Sequence, residues 1–368
     1  MSRPSGRRPR ARKARGASAV GRRLEVEVGP VAHGGHFVAR AEDRVVFVRH
    51  ALPGERVVVE VTDGSEGDKF WRADAVEILG AAPERVPAPC PYAGPGLCGG
   101  CDFQHVDLAA QRRLKADVVR EQLRRVARLD VDVVVEAVPG DVDGLRWRTR
   151  QRYVALPDGR RGMRKHRSHE VVPVEECLLE APTGPSYDVH GHLFEVADGG
   201  FWQVHPGAPE ALVDAVLAAL GPRPGESVLD LYAGVGLFSR FLAEAVGPDG
   251  RVAAVEGDAA ASALSARNCP GVVVRAGDVG TVLAEDLPEP VDLVVLDPPR
   301  VGARRAVVEQ VVRRTPRALA YVACDPSALA RDLAIFAEHG YALTSLRAFD
   351  LFPMTHHVEC VALLERKP

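Results

Sequence analysis

Apolar and polar residues alternate through the amino-terminal part of the chain. Between residue 24 and about residue 80 the runs are "LEVEV", "HFVAR", "RVVFVRH", "RVVVEVTD" and "WRADAVEIL", separated by Gly and Pro. A period of two is the side-chain period of a half-buried strand. Five short strands at this spacing predict a small OB-type β-barrel over residues 23–80.

A different pattern begins at about residue 206, where short apolar runs alternate with helical spacing. The runs are "SVLDLY", "RVAAVE", "GVVVR", "VDLVVLD" and "ALAYVA", and helical patterns follow most of them. This alternation predicts an α/β domain over residues 206–368, with a mostly parallel sheet and helices on both faces. The final runs, "YALTSLRAFD" and "VECVALLER", lack an intervening helix and predict a hairpin at one edge of the sheet.

Residues 81–205 form a third region, which opens with a Pro-rich connector and a basic amphipathic helix predicted over 107–129. The remainder is irregular and β-like, with nine Arg or Lys residues between Arg146 and Arg167. Trp147 and Tyr153 lie among these charges. Basic side chains with aromatic platforms favour contact with single-stranded RNA, and the alternative is a solvated charged face.

The net charge of −3 over 368 residues is unevenly distributed. Residues 1–23 contain nine of the 47 Lys and Arg residues and no acid, and we expect residues 1–22 to form a basic, disordered arm. The arm is either a contact for a polyanion or a solubilising tail. No apolar run could cross a bilayer, so we expect no membrane partner. The basic N-terminus lacks the apolar segment of a secretory signal, so we expect a cytoplasmic protein with reduced cysteines. We also expect a monomer.

The run "LDLYAGVGLFS" predicts a strand, a glycine-rich turn and the start of a helix over residues 229–239. This arrangement holds either a dinucleotide or S-adenosylmethionine. Glu256 ends the next strand, where a carboxylate can accept hydrogen bonds from ribose hydroxyls. The loop departs from the GxGxxG pattern, and "LDPPR" places Asp297 at the same sheet edge, which favours the methyl donor.

Cysteines supply two further candidate sites. The first consists of three cysteines with C-x7-C-x2-C spacing and a fourth, more distant one: Cys90, Cys98, Cys101 and Cys177. Four thiolates can hold zinc or an iron–sulfur cluster. Cys324 is separate: it ends the strand "ALAYVA" and precedes a helix, at the edge where α/β sheets bind ligands. It is a nucleophile, a metal ligand or a small buried residue. Glu359, in an otherwise apolar strand, is a candidate base.

These motifs together resemble the bacterial class I RNA uracil-5-methyltransferases, over residues 24 to about 365. "ALPGERVVVEV" is similar to the TRAM barrel of that family, and "CPYAGPGLCGGCDFQH" to its cluster motif. "FWQVHPGA" resembles a stretch that contacts the cofactor, "YVACDPSALARD" the nucleophile motif, and "DLFPMTHHVECVALLE" the carboxy-terminal motif. The family usually has Asn where His205 stands, and Asn and Thr where Asp325 and Ala328 stand.

The resemblance implies a Rossmann-like methyltransferase domain that transfers a methyl group from S-adenosylmethionine to carbon 5 of a uridine, with ribosomal RNA favoured over transfer RNA. Cys324 takes the place of the nucleophile and Glu359 that of the general base. The four cysteines of the cluster motif match ligands of a 4Fe-4S cluster. The positions that match cofactor contacts are Gln203, Tyr232, Gly234, Glu256, Asp278 and Asp297.

Two other functions stay open at this point. "DPPR" also resembles the motif of amino-methyltransferases that act on purine nitrogens, a reaction that needs no cysteine. The second alternative is a noncatalytic iron–sulfur protein that binds RNA, in which Cys324 and Glu359 would be dispensable.

Overall fold

The computed structural model describes residues 16–285, 287 and 290–367. The chain divides into two compact units: Met1–Pro87 with Gly94–Gly96, and Ala88–Ala93 with Leu97–Pro368. The second unit contains both the region of the cluster motif and the α/β domain.

The first unit is a closed five-stranded barrel with strand order β1-β2-β3-β5-β4, as the alternating pattern predicts. Its inward side chains, among them Phe37, Val46 and Trp71, are fully buried. The strands are β1 (Arg23–Ala32), β2 (His36–Ala41), β3 (Arg44–Arg49), β4 (Arg56–Asp63) and β5 (Phe70–Gly80).

Part of the expected disordered arm is ordered. The backbone N–H of Ala19 donates to Gly64 O at 3.0 Å, and that of Gly21 to Val61 O at 2.9 Å. Ala19 is fully buried against Val61 and Trp71. Backbone pairing therefore fixes this short segment despite its few apolar residues, whereas residues 1–15 lie outside the described part of the chain.

The second unit begins with the predicted basic helix, α1 (Leu108–Gln122), and a π-helical turn over Leu123–Ala127 extends it. The Asp107 carboxylate caps α1 by accepting the N–H of Ala110 at 2.9 Å. The irregular region that follows contains only short strands: β6 (Val135–Glu136), β7 (Val154–Ala155), β8 (Arg161–Arg164), β9 (Val171–Pro173), β10 (Asp188–Val189) and β11 (His192–Leu193).

The α/β domain is built on an eight-stranded sheet with order β14-β13-β12-β15-β16-β18-β17-β6. β12 to β16 run parallel, and β18 is antiparallel to β16. Its elements are α2 (Ala208–Leu220), β12 (Ser227–Leu231), α3 (Leu237–Val246), β13 (Arg251–Glu256), α4 (Ala259–Asn268), β14 (Val273–Ala276), α5 (Val279–Glu285), β15 (Leu293–Leu296), α6 (Arg304–Arg313), β16 (Ala318–Ala323), α7 (Pro326–Glu338), β17 (Tyr341–Phe349) and β18 (Glu359–Arg366).

The predicted hairpin of β17 and β18 forms, but it does not end the sheet. β6 pairs in parallel with β17, so Val135 and Glu136 form the outermost strand. A strand of two residues is too short to show a period, which explains why the hydrophobic pattern did not reveal it. The pattern also missed helices α2 and α5.

Every residue of β15 and β16 is buried. Central parallel strands have helices on both faces, which explains their unbroken apolar runs. None of the helices in the described part of the chain combines the length and apolar character needed to cross a membrane.

Candidate active site

The glycine-rich turn follows β12 and has the tight backbone expected of a cofactor loop. Tyr232, Gly234 and Gly236 have φ angles of 66°, 56° and 93°. A Cβ on Gly236 would lie 2.5 Å from the Sγ of Cys269, so the close approach of α4 requires glycine there. The buried Cys269 thiol donates to Gly236 O at 3.3 Å, which supports a structural role for this cysteine.

Glu256 ends β13 beside this loop. Its two carboxylate oxygens accept backbone hydrogens from Gly234, at 2.8 Å, and Asp258, at 2.7 Å. Each oxygen keeps a lone pair, so the fixed carboxylate can accept two ribose hydroxyls. This geometry fits the role that the sequence predicts for Glu256.

A cluster of carboxylates makes this edge a site for a cation. Burial, with a smaller contribution from the charge of Glu256, raises the pKa of Asp230 to about 7. Burial also raises the pKa of Asp297, and the charges of Asp230 and Glu256 add to the shift. A positive ligand relieves this repulsion, whereas an anionic pyrophosphate increases it. The electrostatics therefore favour the sulfonium and ammonium groups of S-adenosylmethionine over a dinucleotide.

Asp278 and Gln203, the other two predicted cofactor residues, lie outside this cluster of carboxylates. Asp278 follows β14, and one of its oxygens accepts the N–H of Thr281 at 3.0 Å. Burial and the charge of Asp278 raise the pKa of Tyr232 to about 12. Asp278 therefore lies beside the cofactor loop. Gln203 lies in an irregular segment before α2 and is half-buried; within the described residues its side chain makes no hydrogen bond.

The sheet register brings Cys324 and Glu359 together. β16 and β18 are antiparallel, with Ala323 opposite Cys360. Continuing that register by one residue places Cys324 opposite Glu359. The two are separated by a long stretch of sequence, but they meet at the edge of the sheet that carries Asp297.

Charge couples the three groups. Burial, and after it the charge of Glu359, raise the pKa of Cys324 to about 12. Burial and then Asp297 raise the pKa of Glu359. The Arg300 guanidinium opposes both shifts. Arg300 is therefore the cation that favours a thiolate at Cys324 and a carboxylate at Glu359.

The amides at the start of α7 already have a hydrogen-bond acceptor. The Asp325 carboxylate accepts the N–H groups of Ser327 and Ala328 at 3.0 and 2.9 Å. These amides are therefore occupied by a cap, and Asp325 itself raises the pKa of Cys324. The Arg300 guanidinium opposes this effect, because it lowers the pKa of Cys324.

The four cysteines of the cluster motif line one cavity. Burial raises the pKa of Cys101, and the thiols of the other three cysteines raise it further. Side-chain amides face two sulfurs: Gln151 Nε2 lies 3.0 Å from Cys177 Sγ, and Gln104 Nε2 lies 3.3 Å from Cys101 Sγ. In the described part of the chain, no three His, Cys, Asp or Glu side chains converge closely enough to hold one metal ion.

A basic groove lies beside residues 98–101, which we call the cysteine turn. Gly99 donates its N–H to Arg164 O at 2.9 Å, and a Cβ on Gly99 would lie 2.4 Å from His166 N. Glycine thus allows the turn to lie against β8. The groove is lined by Gly99, Gly100, Arg152, Tyr153, Val154, Met163, Arg164, Lys165, His166 and Arg167.

The two aromatic residues of this region have different positions. Trp147 is buried and stacks on His205, with ring centroids 5.9 Å apart, so the expectation that it is a platform for bases is wrong. The charged residues next to Trp147 in sequence suggested an exposed position, although its side chain lies in the core. Tyr153 lines the groove, and the Arg161 guanidinium lies 4.3 Å from its ring centroid.

Sequence reasoning missed two residues of the site. Asp230 is a fully buried charge within the apolar strand β12, and one of its oxygens has no hydrogen-bond partner among the described residues. Arg300 completes "DPPR" one residue after the prolines. Asp230 could have been found from the sequence, because it is an acidic residue inside an otherwise apolar run. The role of Arg300 depends on contacts between residues that are distant in sequence.

Comparisons with known proteins agree with this geometry. Residues 17–76 match the TRAM domain model, and residues 289–367 match the model named tRNA (Uracil-5-)-methyltransferase. A protein of Streptomyces avermitilis named as an RNA methyltransferase is 45% identical, over 94% of this chain and 99% of the relative. A similarly named protein of Streptomyces coelicolor is 44% identical, over 95% and 94%.

The fold also matches a solved structure. The tRNA (uracil-54, C5)-methyltransferase of Pyrococcus abyssi, in complex with S-adenosyl-L-homocysteine, aligns with a TM-score of 0.65 and 19% identity. The alignment covers 92% of this chain and 99% of that one. The family models and the relatives show that the chain belongs to the RNA uracil-5-methyltransferase family, whose enzymes take their methyl group from S-adenosylmethionine.

Proposed function

We propose that the chain methylates carbon 5 of a uridine in RNA through a covalent adduct between Cys324 and the base. The observation that carries this proposal is the register of β16 and β18, in which Ala323 pairs with Cys360, the residues next to Cys324 and Glu359. A purine amino-methyltransferase has no need for this pair, and the family membership also sets aside a noncatalytic RNA-binding protein.

Carbon 5 of uracil is a weak nucleophile, so the enzyme must activate it. The Cys324 thiolate forms a bond to carbon 6, and the electron pair of the double bond moves into an enolate. Carbon 5 then attacks the methyl group that S-adenosylmethionine supplies, the sulfur–methyl bond breaks, and its electron pair stays on the sulfur of the departing S-adenosylhomocysteine. The target base must leave its stack to reach a half-buried thiol.

Glu359 completes the reaction. Its carboxylate removes the proton from carbon 5, the double bond re-forms, and Cys324 leaves as a thiolate. A base with a raised pKa suits this step, because it holds the proton well near neutral pH. The Arg300 guanidinium lowers the pKa of Glu359 and so favours the charged form that accepts the proton.

The test of this proposal is covalent trapping on RNA in which the target uridine is replaced by 5-fluorouridine. Fluorine at carbon 5 cannot leave as a proton, so the adduct stalls after methyl transfer. We expect a conjugate that survives denaturant. An enzyme that methylates uridine but never forms such a conjugate would contradict the covalent route.

We also propose that the four cysteines hold a 4Fe-4S cluster. Among the described residues, no group of side chains is close enough together to bind one metal ion. In a 4Fe-4S cluster each cysteine binds a different iron atom, so the four sulfurs can be farther apart, as they can be around a shared cavity. The amide contacts at Cys101 and Cys177 suit thiolate sulfurs that carry negative charge. Bound there, the cluster would tie together three separate segments of chain.

The cluster gives the first prediction. Protein purified without oxygen should be brown and should contain about four iron atoms and four acid-labile sulfides per chain. Cys177→Ser should lose most of the iron, whereas Cys360→Ala, at a buried cysteine outside the cavity, should keep it. One zinc and no iron per chain would contradict the cluster.

We further propose that the basic groove carries the RNA backbone. Its guanidinium and ammonium groups can each face a phosphate, and it is an open surface beside the cysteine turn. Ribosomal RNA as the substrate, a monomeric state and a cytoplasmic location stay predictions from the sequence.

Removal of charge from the groove should weaken RNA binding in a salt-dependent way. For the double variant Arg152→Ala/Arg164→Ala, we expect the slope of log affinity against log salt to fall by about 0.7–0.9 for each phosphate that the variant no longer neutralises. Arg223→Ala, an exposed arginine in the loop before β12, is the matched control. An unchanged slope in a salt titration would show that RNA does not follow this groove.

A further inference from the structure

The loop that leads into Glu359 rests on the cysteine turn. We call residues 350–358, between β17 and β18, the base loop. The backbone N–H groups of Asp102 and Phe103 both donate to Met354 O, at 2.9 and 3.0 Å. Asp102 directly follows Cys101, so the contact with the base loop begins one residue after a cysteine that lines the cavity.

The Asp102 side chain adds a second attachment. One carboxylate oxygen accepts the backbone N–H of His356 at 3.1 Å and lies 2.6 Å from His356 Nδ1. Asp102 is buried, which strengthens this pair relative to a surface contact. Met354, whose carbonyl oxygen makes the first attachment, has a φ of 64°, a conformation that a non-glycine residue holds only with support.

The contacts continue to the reacting groups. The His356 ring lies 4.1 Å from the His357 ring, and His357 Nε2 lies 3.3 Å from Arg300 Nη2. Because a guanidinium only donates, His357 Nε2 must accept and the ring must be neutral. Burial lowers the pKa of His357 to about 3, which agrees with this. Arg300 in turn acts on both Cys324 and Glu359.

We propose that Asp102 is a positioning residue that couples the cavity of the four cysteines to Glu359 and Arg300 through the base loop. The structure around this cavity then sets the geometry of the proton-removal step without taking part in the chemistry. This inference rests on the proposed roles of Cys324 and Glu359. The sequence did not suggest a role for Asp102, because Asp102 lies far from the carboxy-terminal motif in sequence.

The test compares two RNAs. With 5-fluorouridine RNA, the rate of conjugate formation reports every step before proton removal. With ordinary RNA, a conjugate accumulates only when proton removal is slow. For Asp102→Ala we expect trapping on 5-fluorouridine RNA within about threefold of the unaltered enzyme, but turnover on ordinary RNA about tenfold or more slower, with a persistent conjugate.

The control is Asp188→Ala. Asp188 is exposed and accepts one backbone N–H, from Gly191 at 3.0 Å. It should behave as the unaltered enzyme in both assays. Equal losses on both RNAs with Asp102→Ala would show a merely structural role, and no change on either RNA would show that Asp102 does not act on the base step. Both outcomes overturn the inference.

Hydrogen exchange gives a readout that does not depend on activity. In Asp102→Ala, amides of residues 350–358 should exchange about tenfold faster or more, with the iron content unchanged. Asp102→Asn keeps an acceptor for the His356 N–H and should restore most of the protection, which guards against simple misfolding. Unchanged exchange in the alanine variant overturns the inference. If exchange responds but the unaltered enzyme never traps 5-fluorouridine RNA, the proposed function fails and the coupling to catalysis falls with it.

Discussion

Cys324→Ala is expected to abolish methyl transfer, with a fall in rate of about 10⁴-fold or more, because carbon 5 is then never activated. The affinity for S-adenosylmethionine should stay within about twofold, since the carboxylates of the cofactor edge are untouched. The measurements are transfer of a labelled methyl group into RNA and calorimetric binding of the cofactor.

The matched control for this variant is Cys360→Ala. Cys360 is a buried neighbour on β18, outside the predicted machinery. It should retain methyl transfer within about threefold, apart from the small loss of stability that a removed sulfur brings. If Cys324→Ala methylates RNA at a comparable rate, no thiol adduct forms and the covalent mechanism is wrong.

Glu359→Gln should produce a different defect. The amide cannot accept the proton from carbon 5, so the enzyme should form the adduct, transfer the methyl group and then stall. We expect turnover to fall by about 10²- to 10⁴-fold while a conjugate with ordinary RNA accumulates. Denaturing electrophoresis of enzyme mixed with labelled RNA measures this directly.

Glu365→Gln, an exposed glutamate on the same strand, is the control for the loss of a carboxylate. It should turn over normally and leave no conjugate. A Glu359→Gln enzyme that is slow but accumulates no conjugate would place the defect before adduct formation. Glu359 would then be a group that orients the base or the thiol, and another residue would remove the proton.

The strands of the barrel and most of the sheet could be predicted because their patterns are local. Alternation marks β1 to β5, and unbroken apolar runs mark β15 and β16, since burial on one face or on both leaves a direct trace in sequence. β6 left no such trace. It is two residues long, and β17, its partner, lies more than 200 residues away.

The site shows the same division. Cys324 could be placed at a strand end from its neighbours alone, and the register then brought Glu359 opposite it. The link from Asp102 to His356 spans 254 residues and has no periodic signal. Trp147 was misjudged because arginines surround it in sequence, whereas His205 and Phe352 surround it in space.

The bond between Cys324 and the target base is the central claim. The most direct measurement is peptide mapping by mass spectrometry of the conjugate formed on 5-fluorouridine RNA in the presence of S-adenosylmethionine. We expect the modified peptide to carry a methylated 5-fluorouridine adduct on Cys324. A conjugate through any other residue, or a fully active enzyme that forms none, would contradict it.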